Sequence, residues 1–390
     1  MKRLSQLDGI RGLSLLMVVV FHYVWSQVHT TPGTLPAQFM KYLLWSYSAV
    51  DLFFVLSGFL ITGILLDNAT AGNFLKVFYI RRACRILPLY GVAVLAFVTC
   101  RHFLEDDWRF IWLFKDPLPI WNYLTFTQNF AMSGADTSGP HWIDITWSLA
   151  VEEHFYLLLP VLVCLVARRW LPWVFGVMII AAPLLREFLP LSDLNAYFST
   201  PWRADSIMAG SLLAWCVRQP VILQHIRTHV RKLYWVLAIL PPFLLLMAWS
   251  GFNRSGALEH TIFAVFYSAL LLLVFVDETS PITKLMRWGP LAWVGTISYG
   301  LYLFHEPISG LAHALVRSAP PEIHSISSGL VTLSALVITF AVATASYYFF
   351  ERRIIAYGHS FKFTKAAPPL PTPSAAPQLQ PLPVPLDARR

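Results

Sequence analysis

The chain has 390 residues, of which 56% are hydrophobic and only 13% are charged, and its mean hydropathy is +0.57. Soluble domains average about 25% charged residues, so this composition excludes a soluble globular protein and indicates a polytopic membrane protein. The formal net charge is +8. Most of the basic residues fall on one side of the predicted membrane, so the charge does not indicate a nucleic-acid partner.

Ten apolar segments, taken in chain order, predict ten transmembrane helices in an all-α protein. The first follows a short basic start without an Ala-x-Ala cleavage site, so we expect a retained helix and not a signal peptide. With the N-terminus inside, 21 of the 29 Lys and Arg residues are cytoplasmic, which predicts N-in and C-in. The segments lie at 9–27, 43–66, 86–103, 147–167, 172–189, 204–217, 233–250, 258–276, 289–308 and 326–350.

Three other features complete the organisation. Segment 110–131 is apolar but interrupted by charge and proline, which favours an interfacial or re-entrant segment on the outer side. Residues 366–390 contain eight prolines and no periodicity, which is typical of a disordered tail. We predict that the folded domain ends at residue 355 and that the tail comprises residues 356–390. The four cysteines lie in or beside apolar runs without metal-ligand spacing, so we expect no metal site.

The first predicted span starts at Arg11 and carries His22 deep inside it. Eleven residues of helix place His22 roughly 16 Å beyond Arg11, about half the hydrocarbon thickness. An ionisable group at that depth costs several kcal/mol unless it faces a cavity or a partner, so it indicates a functional site. The alternative is an interfacial arginine and a histidine satisfied by a neighbouring helix.

The second span carries Asp51 in its outer half, at a depth similar to that of His22. A carboxylate there could orient the imidazole, as the acid of a hydrolytic triad does, or it could serve only in helix packing. The Ser57-Gly58 pair further along is small enough to allow two helices to approach closely, which favours packing as its role.

Arg82 and Arg85 lie at the cytoplasmic mouth of the third span and share one helix face. Guanidinium groups bind phosphates through two parallel hydrogen bonds, so the pair could anchor a phosphorylated cofactor. Anchoring to anionic lipid is the alternative.

The fourth span begins with a polar face. Ser148, Glu152 and Tyr156 follow i, i+4, i+8 spacing, whereas Glu153 points about 100° away. Two adjacent glutamates at a membrane entrance are costly, so at least one should face a polar cavity, where it could position an acceptor hydroxyl. Further polar groups near the outer half, any of which could line a cavity or anchor at the headgroups, are Arg203, Asp205, Ser298, Tyr302, His305 and Glu306.

Four segments together resemble the membrane-bound acyltransferase 3 family of bacterial O-acyltransferases. The family's Arg-x10-His signature matches Arg11 and His22, and its Ser-x-x-x-Glu pattern matches Ser148 and Glu152. The other two segments are 51–59, which begins at Asp51, and 82–90, which contains Arg82-x-x-Arg85. The order and spacing of these motifs cover about residues 5–355, which would form one acyltransferase domain, 1–355.

The resemblance implies transfer of an acyl group, acetyl by default, from cytoplasmic acyl-CoA to a hydroxyl of an exported glycan, lipid-linked sugar or small molecule, by a multi-pass protein of the inner membrane. It implies no permanently bound cofactor. We expect Arg11, Arg82 and Arg85 to hold the CoA phosphates. His22 would be the general base or the acyl carrier, with Asp51 or Glu152 orienting it and Ser148 facing the acceptor.

Two other function classes are compatible with the same residues. A transporter or flippase for a polar or lipid-linked substrate would use His22, Asp51 and Glu152 as a proton relay and would not depend on CoA. A non-catalytic sensor would signal through the Pro-rich tail.

Overall fold

A computed structural model describes residues 4–31, 33–189, 192–249 and 257–364. Within these ranges every regular element is a helix and none is a β-strand, as the apolar segments predict. The predicted tail at 366–390 lies outside the described residues. The helices are α1 Ser5–Val20, α2 Leu35–Leu43, α3 Ala49–Asn68, α4 Phe74–Leu104, α5 Ile120–Leu124, α6 Gln128–Ala135, α7 Trp147–Leu165, α8 Leu171–Phe188, α9 Asp193–Phe198, α10 Ala204–Cys216, α11 Pro220–Thr228, α12 Val230–Trp249, α13 Glu259–Val276, α14 Pro281–Met286, α15 Gly289–Thr296, α16 Ser298–Arg317, α17 Ile326–Ala345 and α18 Arg352–Ser360.

Seven helical segments of the described residues are long and apolar enough to cross a membrane, and an eighth if the bent pair α10–α11 counts as one span. The prediction of ten spans is thus matched by seven or eight candidate spans among the described residues. The seven segments are Ser5–Trp25, Leu35–Asn68, Phe74–Leu104, Asp144–Leu165, Leu171–Phe188, Glu259–Val276 and Ile326–Ser360.

Several predicted boundaries differ from the structure, and the third span, predicted at 86–103, belongs to a helix that starts at Phe74. The apolar run 289–308 is divided at Ile297 into α15 and α16, and α16 continues to Arg317. Hydropathy predicts a single helix there because the residues on both sides of the break are apolar. The predicted domain end at 355 falls inside α18, whose last turn reaches Ser360.

Glycines bring the central helices into direct backbone contact. A Cβ atom on Gly58 of α3 would lie 2.0 Å from the carbonyl oxygen of Ile207 in α10, and one on Gly210 would lie 1.9 Å from that of Val55. Such contacts are possible only without a side chain, which is how small residues drive helix association in membranes. The same arrangement joins α1 to α15 through Gly12. The packing role predicted for the Ser57-Gly58 pair is therefore confirmed for Gly58, whereas Ser57 lines a cavity and donates to Glu152.

The helix that carries His22 changes its winding at that residue. After Val20 the chain forms one π-helical turn, Phe21–Trp25. The carbonyl oxygen of His22 accepts hydrogen bonds from Ser26 Oγ at 2.7 Å and from Gln27 Nε2 at 2.9 Å. Single π-helical turns occur frequently at functional sites. Here the turn reorients the His22 side chain relative to the α-helix that precedes it.

The segment between α4 and α7 forms short helices and does not cross the bundle as a continuous helix. Its described elements are a 3₁₀ turn at Ile111–Leu113 followed by α5 and α6, each far shorter than the roughly 20 residues a span needs. Leu113 and Tyr123 are fully buried, so the segment packs onto the helices beside it. This agrees with the predicted interfacial or re-entrant segment.

Candidate active site

Two cavities meet inside the bundle. The larger, of about 490 Å³, lies beside His22 and has aromatic walls that include Trp147 and Tyr197. The smaller, of about 120 Å³, is lined by the three arginines that the sequence analysis singles out and by Glu152. Both cavities are lined by the same four residues where they adjoin, namely Val18, Val50, Ser148 and Tyr302.

His22 pairs with Glu306 of α16. Its Nδ1 contacts the Oε1 atom of the Glu306 carboxylate, and Glu306 is only 3% exposed, whereas the His22 side chain is 25% exposed. A carboxylate can only accept from Nδ1–H, so the lone pair of the neutral ring lies on Nε2. A histidine whose Nδ1 is held by a buried acid while Nε2 stays available is arranged as the base of a hydrolytic triad.

His141 contacts the second oxygen of the same carboxylate. Its Nε2 lies 2.8 Å from Oε2 of Glu306, and its Nδ1 lies 3.5 Å from Asp144. Burial opposes the charge of His141, but the carboxylates of Glu306 and Asp144 outweigh it and raise the pKa of the imidazole well above its usual value. Glu306 therefore connects two imidazoles, of which only His22 is a predicted site residue.

A third, more open cavity of about 400 Å³ adjoins this group and is lined by His22, His141 and Glu306 together with His29 and Glu322. It is formed by the segment that precedes α7 and by the loop between α16 and α17. His22 lines both this cavity and the large one, so its ring stands between them.

Asp51 is not the partner of His22. Its Oδ1 accepts from Arg203 Nη2 at 3.0 Å and from Ser206 Oγ at 2.8 Å, and its Oδ2 lies 3.2 Å from His260 Nδ1. Asp51 and Arg203 are each at most 1% exposed. The carboxylate is fully occupied on the side of α3 that faces α10 and α13, so the predicted orientation of His22 by Asp51 is not what the geometry gives.

A second buried pair continues this ionic network. Arg186 Nη2 of α8 donates to Asp205 Oδ2 at 2.7 Å and to Thr261 Oγ1 at 2.9 Å. Two arginines and two aspartates therefore balance their charges within the bundle, and Arg186 and His260 contribute to the wall of the large cavity. These buried ion pairs connect α3, α8 and α10.

Glu152 lies in the smaller cavity with a polar cluster of its own. Its Oε2 accepts from the Tyr156 hydroxyl and, at 3.3 Å, from Ser57 Oγ. Tyr156 lies under the guanidinium of Arg82, whose Cζ is 5.4 Å from the ring centroid. Glu152 therefore faces the arginines and not His22, and the predicted orientation of His22 by Glu152 is not formed either.

Ser148 stands at the junction of the two cavities. Its Oγ lies 2.9 Å from the Tyr302 hydroxyl, and Tyr302 itself donates to the carbonyl oxygen of Ile145. Tyr302 has a single proton to donate, so Ser148 is the donor in their hydrogen bond.

Arg11, Arg82 and Arg85 all line the smaller cavity. Arg11 also donates to Asp8 Oδ1 at 3.1 Å, one helical turn earlier. The structure brings together three cations from α1 and α4 that the sequence analysis assigns to one anionic ligand. A cavity with several guanidinium groups is suited to phosphate or carboxylate groups.

Sequence reasoning missed Glu306 and His141 as members of the site. Both are polar residues near apolar spans. Glu306 is one of several groups predicted to line a cavity, but no pattern predicts that it contacts His22. The local sequence pattern does not indicate which helix packs against α1 at the depth of His22, so this contact is apparent only in the tertiary structure. Among the described residues, His22, His305 and Glu306 are also the one group of three His, Cys, Asp or Glu side chains with donor atoms within 4.8 Å of one another.

Comparison with known proteins identifies relatives of nearly the whole chain. A family model described as an acyltransferase domain matches residues 4–348. The peptidoglycan O-acetyltransferase OatA of Listeria monocytogenes is 26% identical over 390 residues, covering 90% of this chain and 56% of its own. A putative peptidoglycan O-acetyltransferase of Bacillus subtilis is 25% identical, covering 90% and 55%, and a putative O-acetyltransferase of Staphylococcus aureus is 24% identical, covering 90% and 57%.

The chain thus spans little more than half the length of the curated relatives it matches. No solved structure matches it.

Proposed function

The chain belongs to the acyltransferase 3 family and is an acyltransferase, and on that premise we propose that it moves an acetyl group from acetyl-CoA to a hydroxyl of a cell-envelope glycan. The names of the relatives support this acceptor class, since two of them carry peptidoglycan in their printed names. Membership in an acyltransferase family also makes the transporter alternative the weaker reading of the same polar residues.

The donor side of the proposal rests on the smaller cavity. Acyl-CoA carries phosphate groups at one end and the thioester at the other, so it needs a cationic anchor and a narrow path to the base. Arg11, Arg82 and Arg85 supply the anchor, and the junction at Ser148 and Tyr302 supplies the path towards the large cavity. In the predicted N-in topology of an inner-membrane protein, these arginines lie towards the cytoplasm, where acyl-CoA is found.

The base of the proposed reaction is His22. In one route its Nε2 takes the proton of the acceptor hydroxyl while the oxygen attacks the thioester carbonyl, and the departing CoA sulfur then receives that proton. In the other route Nε2 attacks the thioester first and CoA leaves as the thiolate. The acyl-imidazolium then passes its acyl group to the hydroxyl, whose proton goes to the CoA thiolate. In both, Glu306 holds Nδ1–H and stabilises the positive charge that develops on the ring.

The acceptor side rests on the large cavity and on the open one beside it. Aromatic side chains such as Trp147, Tyr197 and Tyr302 offer flat faces, and Asp144 adds a hydrogen-bond acceptor. This mixture suits a sugar ring, which is apolar on its faces and polar at its edges. The open cavity at His141 would admit the glycan, and Ser148 would face its hydroxyl from the junction.

The observation that carries the proposal is the contact of His22 with Glu306 beside the junction of a cationic and an aromatic cavity. The test is an assay of the purified protein with radiolabelled acetyl-CoA and extracts of the host envelope. We expect label in the glycan fraction with the unaltered protein, none with His22→Ala, and normal label with His102→Ala, an exposed histidine at the end of α4.

Normal transfer by His22→Ala would refute the proposed base. Accumulation of intact, unlabelled substrate across vesicle membranes without CoA dependence would favour the transporter instead.

A further inference from the structure

His305 lies next to His22 but has no part in the proposed transfer. It is fully buried, and its ring stands 5.0 Å from that of His22, edge to face. Its Nδ1 donates to the carbonyl oxygen of Tyr302 at 2.7 Å, which leaves the lone pair of the neutral ring on Nε2. In the described part of the chain this Nε2 has no hydrogen-bond partner. Burying a basic nitrogen without a hydrogen-bond partner costs free energy, which indicates that a ligand binds to it.

The unpartnered nitrogen points into a group of potential ligands. His305 Nε2 lies 3.9 Å from Oε1 of Glu306, the atom that His22 Nδ1 also contacts. One donor atom from each of these three residues lies within 4.8 Å of the other two. Zinc binds imidazole nitrogen and carboxylate oxygen at about 2.0–2.2 Å, so donors that close can share one ion after small side-chain rotations. Two imidazoles and one glutamate are a known three-ligand set for zinc with an open fourth position.

The groups that orient metal ligands are also present. A metal-bound histidine donates its other N–H to a carbonyl or carboxylate, as His305 Nδ1 does to Tyr302. A metal-bound carboxylate is itself held by a further polar group, and His141 Nε2 lies within ion-pair distance, 2.8 Å, of Oε2 of Glu306. The second oxygen of Glu306 therefore remains fixed while Oε1 faces the two imidazoles.

We propose that His22, His305 and Glu306 form a binding site for Zn²⁺, and that Zn²⁺ bound there inhibits the enzyme. The site departs from the sequence expectation of no metal, which considered cysteine spacing and could not foresee that α1 and α16 meet at this depth. The binding rests on geometry alone, whereas the inhibition rests on the proposed function of His22.

The inhibition follows from the two nitrogens of one ring. Zn²⁺ takes the lone pair of His22 Nδ1, so the proton that Nδ1 directs at Glu306 moves to Nε2 or, from the doubly protonated ring, is released to water. The ring then holds its remaining proton on Nε2. Without a lone pair on Nε2, His22 can neither remove a proton from a hydroxyl nor attack a thioester.

Binding is tested with the full chain purified without metal. One titration uses Co²⁺, whose visible absorption reports direct coordination. A second uses Zn²⁺ in competition with a coloured chelator. We expect one high-affinity site. His305→Ala and His305→Asn, the second of which keeps a side-chain N–H, should each weaken it about tenfold or more, as the loss of ligand-shell groups does. The control is the double variant His225→Ala/His229→Ala, which removes an exposed pair of adjacent imidazoles on α11.

Unchanged affinity in both His305 variants, or a loss confined to the control, would overturn the site. Inhibition is tested by adding Zn²⁺ and then EDTA during acetyl transfer, with each variant compared with its own metal-free rate. We expect reversible inhibition of the unaltered protein and an inhibitory concentration at least tenfold higher for His305→Asn. A Co²⁺ spectrum without any acetyl transfer would retain the metal site while refuting the proposed function, so the two failures are distinguishable.

Discussion

His22 lies in the π-helical turn that follows α1 and Glu306 lies in α16, and the contact between Nδ1 and the carboxylate joins the N-terminal span to α16. The buried acid fixes which nitrogen of the ring remains available, and the π-helical turn at Phe21–Trp25 fixes where the ring stands. The chemistry of the site therefore depends on a residue that no motif in the first helix reveals.

Replacing this acid should separate catalysis from binding. Glu306→Gln keeps the shape of the side chain but puts a neutral amide beside His22, so the ring loses the charge that stabilises its protonated form. We expect kcat to fall about 10²–10⁴-fold with KM for acetyl-CoA nearly unchanged, the pattern of an acid lost from a triad. Steady-state kinetics of the purified variant measure both. A rise in KM with normal kcat would assign Glu306 to substrate binding.

The arginines of the smaller cavity should act on the donor. Arg82→Gln and Arg85→Gln are each expected to raise KM for acetyl-CoA about tenfold or more, because a hydrogen bond to a charged group contributes about 1.5–3 kcal/mol. The matched control is Arg101→Gln at the other end of α4, where the guanidinium pairs with Glu105 at 2.6 Å. An equal effect of all three substitutions would mean that the arginines act through helix α4 and not through CoA.

The buried ionic network should govern stability. Asp51→Asn leaves Arg203 without its charge partner inside the bundle, and removing one member of a buried pair costs about 3–5 kcal/mol. We expect a markedly lower Tm in detergent, followed by tryptophan fluorescence or size-exclusion chromatography. Asp107→Asn, at a surface pair with Arg109, serves as the control and should leave Tm unchanged. An unaltered Tm together with a large loss of kcat in Asp51→Asn would instead indicate that Asp51 takes part in the reaction.

The close contact of α3 with α10 should tolerate no side chain at Gly58. Gly58→Ala places a methyl group 2.0 Å from the Ile207 carbonyl oxygen, so the helices must separate, and we expect loss of folded protein. Gly176→Ala in α8 meets no atom within 4 Å. It should leave stability unchanged or raise it by about 0.5–1 kcal/mol, since alanine is the better helix former. The yield and Tm of the two variants in detergent make the comparison, and equal behaviour would contradict the packing described for α3.

Candidate functional residues could be predicted from the sequence more readily than the contacts between them. His22, Arg82 and Glu152 stand out because a polar group in an apolar span is costly, and helical spacing states which of them share a face. Partner choice between helices depends on their rotation and depth, so the sequence leaves open whether Asp51 orients His22 or serves in helix packing. The structure pairs it with Arg203. The division of 289–308 was hidden for a related reason, since hydropathy measures composition and not the backbone angles at Ile297.

The proposed function takes the donor from one face of the membrane and the acceptor from the other, so the enzyme would have to prevent a leak of protons and ions between the two cavities. The hydrogen bond between Ser148 and Tyr302 spans the point where the two cavities adjoin, and Tyr302 is held there by the Ile145 carbonyl. On the proposed function, these two hydroxyl groups would be the barrier between the donor side and the acceptor side of the membrane. Growth at low external pH would then be the condition that reveals a defective seal.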